Sequence, residues 1–241
     1  MNIKFSAKTD VGKKRKLNED SFCAAGDIGL FLVADGMGGH LAGEIASQIA
    51  VEITKMSLSE WLKKGPPNSE IFVKAIQLAN KGVFEMAEKG QEMKGMGTTI
   101  AGILICNGGF ATANVGDSRI YRIRNNSIEQ LSKDHSMVST QLSMGLITAE
   151  EAKKSAYKNV ITRAIGTDKT VEVDTRDEEA MKGDVILICS DGLSSLAEDK
   201  DMLDIVNRCG DNLDNACEEL IGLANFNGGD DNITVVLVKF L

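Results

Sequence analysis

Apolar residues fall along this chain in two rhythms. Segments 28–34, 98–106, 110–115, 185–190 and 233–241 are nearly unbroken apolar runs. They are short and bounded by turn residues, which marks strands buried on both faces. Segments 3–9, 21–25, 119–124, 127–131 and 171–175 read as further strands, the first with weak alternation and the second joined to 28–34 around Gly26-Asp27. Elsewhere the period becomes helical. Ile45, Ile49, Ile53 and Met56 predict an amphipathic helix over 42–63, and Phe72, Ile76, Ala79 and Phe84 one over 69–89. Two more helices are expected over 199–209 and 213–225. The close spacing of the strands demands antiparallel pairing. Strands, a helix pair, strands, a helix pair and a last strand thus predict an α+β fold: a four-layer αββα sandwich, two stacked antiparallel sheets flanked by helix pairs. The chain is expected to be one domain, 1–241.

One stretch breaks this pattern. Residues 134–164 carry few bulky side chains and one short helix, signalled by the capping box Thr148-Ala149-Glu150-Glu151. They are read as an insert lying over the sheet edge.

Composition narrows the function. The net charge of −8 over 241 residues argues against nucleic acid as a partner, which requires a basic face. No apolar run approaches the roughly 18 residues that cross a bilayer, and Met1-Asn2-Ile3-Lys4 does not begin a signal peptide, so no membrane association and a cytoplasmic location are expected. The five cysteines, at 23, 106, 189, 209 and 217, form no CxxC pair and suggest neither disulfides nor a zinc knuckle. With only His40 and His135, a His-rich zinc site is nearly excluded.

The chemistry lies at the strand ends. Asp35 follows the run 30–34 and precedes three glycines within four residues, Gly36, Gly38 and Gly39. Alone this is an Asp-Gly turn. The pattern recurs, however, at Gly116-Asp117-Ser118, Ser190-Asp191-Gly192 and Asp230-Asp231-Asn232, and Glu19-Asp20 opens another strand. Carboxylates gathered at the ends of neighbouring strands repel each other unless cations lie between them. Oxygen donors of this kind select magnesium or manganese. Two such ions about 4 Å apart would turn a bridging water into a nucleophile, machinery suited to phosphate esters. Arg15, within the basic run Lys13-Lys14-Arg15-Lys16, can offer a bidentate guanidinium to phosphate oxygens.

The ordered set Arg15-Lys16-Leu17-Asn18-Glu19-Asp20, Val33 to His40, Gly97-Thr98-Thr99, Gly116-Asp117-Ser118-Arg119, Ser190-Asp191-Gly192 and Asp231-Asn232-Ile233-Thr234 resembles the metal-dependent serine/threonine protein phosphatases of the 2C type. Asp134-His135-Ser136 and the stretch 159–166 are similar to its bacterial branch. The resemblance spans nearly the whole chain and implies the same four-layer sandwich. It implies that Asp35 bridges two Mn2+ or Mg2+ ions, that the Gly36 carbonyl binds one, and that Asp191 and Asp231 complete the second site. Asp117, with Asp191, would hold a possible third ion. Glu19 and Asp20 would orient metal-bound waters, Arg15 would grip the phosphate, and a metal-bridging hydroxide would attack phosphorus. Segment 136–163 corresponds to a flap that influences substrate choice. Phosphoprotein substrates, a cognate serine/threonine protein kinase and a monomeric state follow as expectations.

Alternatives stay open at single residues. Asp117 could be a turn carboxylate paired with Arg119, and Arg15 one more solvated charge. Ser118, Ser190 and Thr234 read as turn and strand residues, because no Ser-His-Asp set can be assembled around them. Met37 stands where the animal enzymes carry a histidine proposed as general acid, and cannot give a proton; His40 is a candidate for that role. A non-catalytic phosphoprotein-binding regulator and a hydrolase of small phosphate esters are the competing functions.

Overall fold

The computed structural model describes residues 2–38, 41–90 and 93–241. The chain opens with β1 (Ile3–Asp10), β2 (Asp20–Ala25) and β3 (Leu30–Met37), followed by the helices α1 (Leu41–Trp61) and α2 (Ser69–Ala87). Next come β4 (Gly97–Thr98), β5 (Ile100–Cys106), β6 (Gly109–Val115), β7 (Arg119–Arg124) and β8 (Ser127–Gln130). The insert carries α3 (Met137–Ser143) and α4 (Ala149–Lys154). The chain ends with β9 (Asp174–Glu179), β10 (Val185–Cys189), α5 (Asp191–Ser194), α6 (Asp199–Cys209), α7 (Leu213–Phe226) and β11 (Ile233–Phe240).

The strands form two antiparallel sheets. One has the order β1-β11-β10-β7-β8 and the other β2-β3-β5-β6-β9, with β4 paired to β3. Three apolar cores hold the layers together. Phe31 and Val33 of β3 meet Ile186, Ile188, Val236 and Val238 between the sheets. The alternate residues Leu30, Leu32 and Ala34 turn outward against α1 and α2, with Phe72, Ile76 and Val83. In the other sheet Leu187, Val235 and Leu237 turn outward against α6 and α7, with Met202, Val206 and Leu220. A strand in such a sheet is buried on both faces, so its sequence cannot alternate, and this is why the apolar runs are continuous. The expected sandwich, with a helix pair outside each sheet, is the observed one.

Local differences have local causes. Strand β3 runs two residues past Asp35, because Gly36 and Met37 pair with Thr98 and Gly97. The run read as one strand over 98–106 is broken at Thr99 into β4 and β5. The strand expected over 171–175 lies instead at Asp174–Glu179, whose sequence is DTRDEE. It is a charged edge strand, protected from further pairing by its own side chains, while Val171 and Val173 enter the core ahead of it. Helix α3 buries no side chain, so no apolar periodicity marks it in the sequence. Helix α5 is a single turn that begins at Asp191 itself. The capping box is present: Glu151 N–H donates to Thr148 Oγ1 at 3.2 Å and Thr148 N–H to Glu151 Oε2 at 2.8 Å.

Candidate metal centre

The sandwich brings its acidic residues to one end. Asp20 and Asp35 are direct partners across β2 and β3. The Asp35 peptide is clamped from the neighbouring segment. Its N–H donates to Thr99 Oγ1 at 2.9 Å, and its carbonyl accepts from Thr98 Oγ1 at 2.8 Å and Thr99 N–H at 2.9 Å. The triplet Gly97-Thr98-Thr99 therefore holds Asp35 in place.

Asp20 is buried and tied to the other sheet. Ser190 Oγ and Thr234 Oγ1 donate to its Oδ2 at 2.7 and 2.6 Å. Thr9 and Asn18 extend this chain: Asn18 Nδ2 lies 2.8 Å from Thr9 Oγ1, which is 2.7 Å from Thr234 Oγ1. The hydroxyls of Ser190 and Thr234 thus orient a carboxylate and are not free nucleophiles. Their part was not legible from spacing alone, since each partner lies more than 150 residues away.

Asp191 starts α5 directly after β10, and Asp231 lies just before β11. Gly192 lets these two loops touch, because a Cβ there would stand 2.0 Å from the Asn232 carbonyl oxygen. Asn232 locks the opposite side: its Oδ1 accepts from Glu19 N–H at 2.8 Å, and its Nδ2 donates to the carbonyls of Val11 and Leu17 at 2.9 Å each. Arg15 reaches the same place, half exposed, with Nη2 2.7 Å from Asp231 Oδ2. Asp230 is exposed. Gly36 N–H donates to the Glu19 carbonyl at 3.1 Å, and the Glu19 carboxylate lies against Gly43 in the first turn of α1.

Asp117 is buried, and Arg119 offsets its charge only through space. The Arg119 guanidinium is taken by Asp134, with Nε 3.0 and 3.1 Å from the two carboxylate oxygens and Nη2 2.8 Å from Oδ2. The pairing expected in the turn reading of Asp117 thus goes to Asp134 instead. Ser118 Oγ lies 2.7 Å from Thr99 Oγ1, which links this turn to the clamp on Asp35.

The electrostatics record the convergence. Burial and the neighbouring Asp20, Asp191, Asp117 and Asp231 hold the Asp35 carboxyl well above the usual range. Burial also pushes Asp20 up to about 7, with Asp191 and Asp231 adding to it. Asp117 is pushed up to about 7 by burial and by Asp191 and Asp134. Burial and Asp231 raise Asp191, against a hydrogen bond with Asp35. Among the described residues no three of these side chains stand close enough together to hold an ion as they are. They stand as repelling neighbours, and Asp20 Oδ1 and Asp191 Oδ1 are buried without a hydrogen-bond partner. An all-oxygen donor set with two orphaned carboxylate oxygens fits a hard divalent cation. His40 lies outside the described residues.

Comparison with known proteins bears on this arrangement. A family model described as protein phosphatase 2C matches residues 12–220. The chain is 37% identical over 247 residues to the serine/threonine phosphatase stp of Listeria welshimeri, covering 96% of this chain and 94% of that one. It superposes on the crystal structure of the Mycobacterium tuberculosis serine/threonine phosphatase PstP/Ppp with a TM-score of 0.89, at 34% identity, over 99% of this chain and 98% of that one. The catalytic domain of PstP in complex with two manganese ions is likewise similar, with a TM-score of 0.84 at 33% identity, covering 98% of this chain and 97% of that one.

Proposed function

The chain belongs to the protein phosphatase 2C family, and we propose that it removes phosphate from phosphoserine and phosphothreonine in proteins with the help of two Mn2+ or Mg2+ ions. The observation that carries this reading is the meeting of Asp20, Asp35, Asp117, Asp191 and Asp231, from five separate segments, around orphaned carboxylate oxygens. Asp35, the Gly36 carbonyl, Asp191 and Asp231 would hold the two ions, and Asp117 with Asp191 a third. When bound, the ions supply Lewis acidity and water of lowered pKa.

The chain's own groups do the rest. Arg15, half exposed beside Asp231, would turn its donor fork toward phosphate oxygens. Asp20 and Glu19 accept hydrogen bonds from water in the cleft and orient it. Ser190 and Thr234 spend their hydroxyls on Asp20, and Ser118 meets Thr99. With these hydroxyls engaged, water attacks phosphorus directly and no phosphoenzyme forms. Met37 has no proton to give, which leaves water or His40 to protonate the leaving serine or threonine oxygen. The insert 136–163 acts as the flap beside the cleft. A serine/threonine kinase must act on the same proteins, since it alone makes the substrate.

Hydrolysis of a phosphothreonine peptide should require manganese or magnesium, stop with chelator, and vanish in Asp191→Asn. A single turnover in oxygen-18 water should label the released phosphate. Full activity of Asp191→Asn in folded protein would refute the assignment. Hydrolysis of p-nitrophenyl phosphate without any phosphopeptide turnover would favour a small-ester hydrolase.

A further inference from the structure

Two stretches singled out in the sequence, Asp134-His135-Ser136 and 159–166, have no task in the chemistry above, yet they meet in space. The insert leaves and rejoins the sandwich at neighbouring points, with Ser136 bridged to Ile161 and Ile165 to Thr98. His135 stands at this junction, 7% exposed. Its backbone N–H donates to the Gly116 carbonyl at 2.9 Å, and its carbonyl accepts from Thr162 N–H at 2.8 Å. Its imidazole joins Gly116 to Asp174, the first residue of β9. Gly116 N–H donates to Nδ1 at 3.0 Å, so Nδ1 carries no proton and the hydrogen of the neutral ring sits on Nε2. That nitrogen lies 3.2 Å from Asp174 Oδ2. Arg163, at the end of the insert, closes on the other oxygen of Asp174 at 2.5 Å. Its Nη1 also lies 3.1 Å from Nε2, but two donors face each other there, so it is a contact and not a hydrogen bond.

We propose that His135 is a positioning residue that clasps the flap to the turn carrying Asp117. The role needs an acceptor and a donor on opposite edges of one rigid ring, and neutral imidazole supplies both. Through Asp174 and Arg163 the base of the flap is fixed to Gly116, one residue from Asp117. Ile165, bonded to Thr98, gives a second anchor beside Asp35. The flap and the two acidic turns therefore keep one relation while a substrate lies between them. A phosphoprotein, large enough to press on the flap, depends on this clasp, and a small phenyl ester does not. The consequence for turnover rests on the phosphatase reading; the clasp itself does not.

The test uses His135→Asn, whose Oδ1 keeps an acceptor for Gly116 N–H but cannot reach Asp174. Asp174→Asn is the second variant; it keeps the acceptor for Nε2–H, weakens the tie to Arg163, and sits at a 40% exposed side chain that folding tolerates. In His135→Asn, amide hydrogen exchange should accelerate together in 137–162 and 116–118 by roughly tenfold, the scale of one lost hydrogen bond. KM for a phosphothreonine peptide should rise roughly five- to tenfold, with kcat for p-nitrophenyl phosphate held within about twofold. Asp174→Asn should move both readouts the same way, by less. Unchanged exchange in both variants would overturn the proposal, as would equal losses on peptide and phenyl ester. If the wild type hydrolyses neither substrate, the phosphatase reading fails while exchange still decides the clasp.

Discussion

Single hydroxyls and guanidinium groups decide how the acidic side chains stand. Thr99 Oγ1 accepts the Asp35 N–H and meets Ser118 Oγ, so one buried atom ties β3 to the turn of Asp117. Thr99→Val has nearly the same shape and removes that atom. It leaves the Asp35 N–H without its acceptor and should cost about 1–3 kcal/mol in urea unfolding. It should also raise the manganese concentration for half-maximal hydrolysis; unchanged stability and metal demand would show the clamp to be idle. Arg15 is the opposite case. Its pair with Asp231 is half exposed and adds little stability. Arg15→Ala should leave the melting temperature nearly unchanged while kcat/KM for a phosphopeptide falls roughly 10- to 100-fold, the loss of a charged hydrogen bond to phosphate. An unchanged kcat/KM would remove Arg15 from the site.

At the scale of elements, the site depends on backbones meeting where no side chain fits. A Cβ on Gly36 would lie 2.1 Å from the Gly43 carbonyl oxygen and 2.6 Å from that of Glu19. Gly36→Ala must therefore push β3, the first turn of α1 and the segment before β2 apart. Overpacking of this kind costs about 1–3 kcal/mol, and here the obstacles are rigid backbone. A lower melting temperature with weakened manganese binding is expected, and a variant with wild-type values of both would contradict it. The same elements explain what could be read from sequence. Runs such as 30–34 and 185–189 announce themselves because burial on two faces leaves no polar position. The carboxylates that end them were legible for the same reason, as charges placed where the apolar run stops. Strand β9 lies further along the chain than its apolar pattern suggests, because an edge strand of sequence DTRDEE has no such constraint. Thr99, Ser190, Thr234 and Asn232 stand in the motifs, but their partners were not legible, since each acts on a residue from a distant segment.

For the whole molecule, gathering these acids at one end makes stability depend on pH and cations in a definite direction. Asp20 and Asp117 are raised to about 7, and Asp35 and Asp191 are raised as well, against 3.8 for an unstrained aspartate. Between about pH 4 and 7 the native chain thus holds protons that the unfolded chain has released. Stability from these groups is full below the unfolded value and is lost as pH rises through the folded ones. His135 opposes this. Burial lowers it, assisted by Arg163 and opposed by Asp174 and Asp134, so its contribution is present above 6.5 and lost as pH falls. Among the described residues one imidazole is set against four carboxylates, and the carboxylates set the sign. In chelator the melting temperature should therefore fall between pH 5 and 7.5. Saturating manganese should flatten or reverse that slope, because the ion binds deprotonated carboxylates and competes with their protons. Asp117→Asn removes one of the four and should make the chelated protein less sensitive to pH. A chelated wild type whose melting temperature is flat or rises across this window would mean that the carboxylates do not burden the metal-free fold.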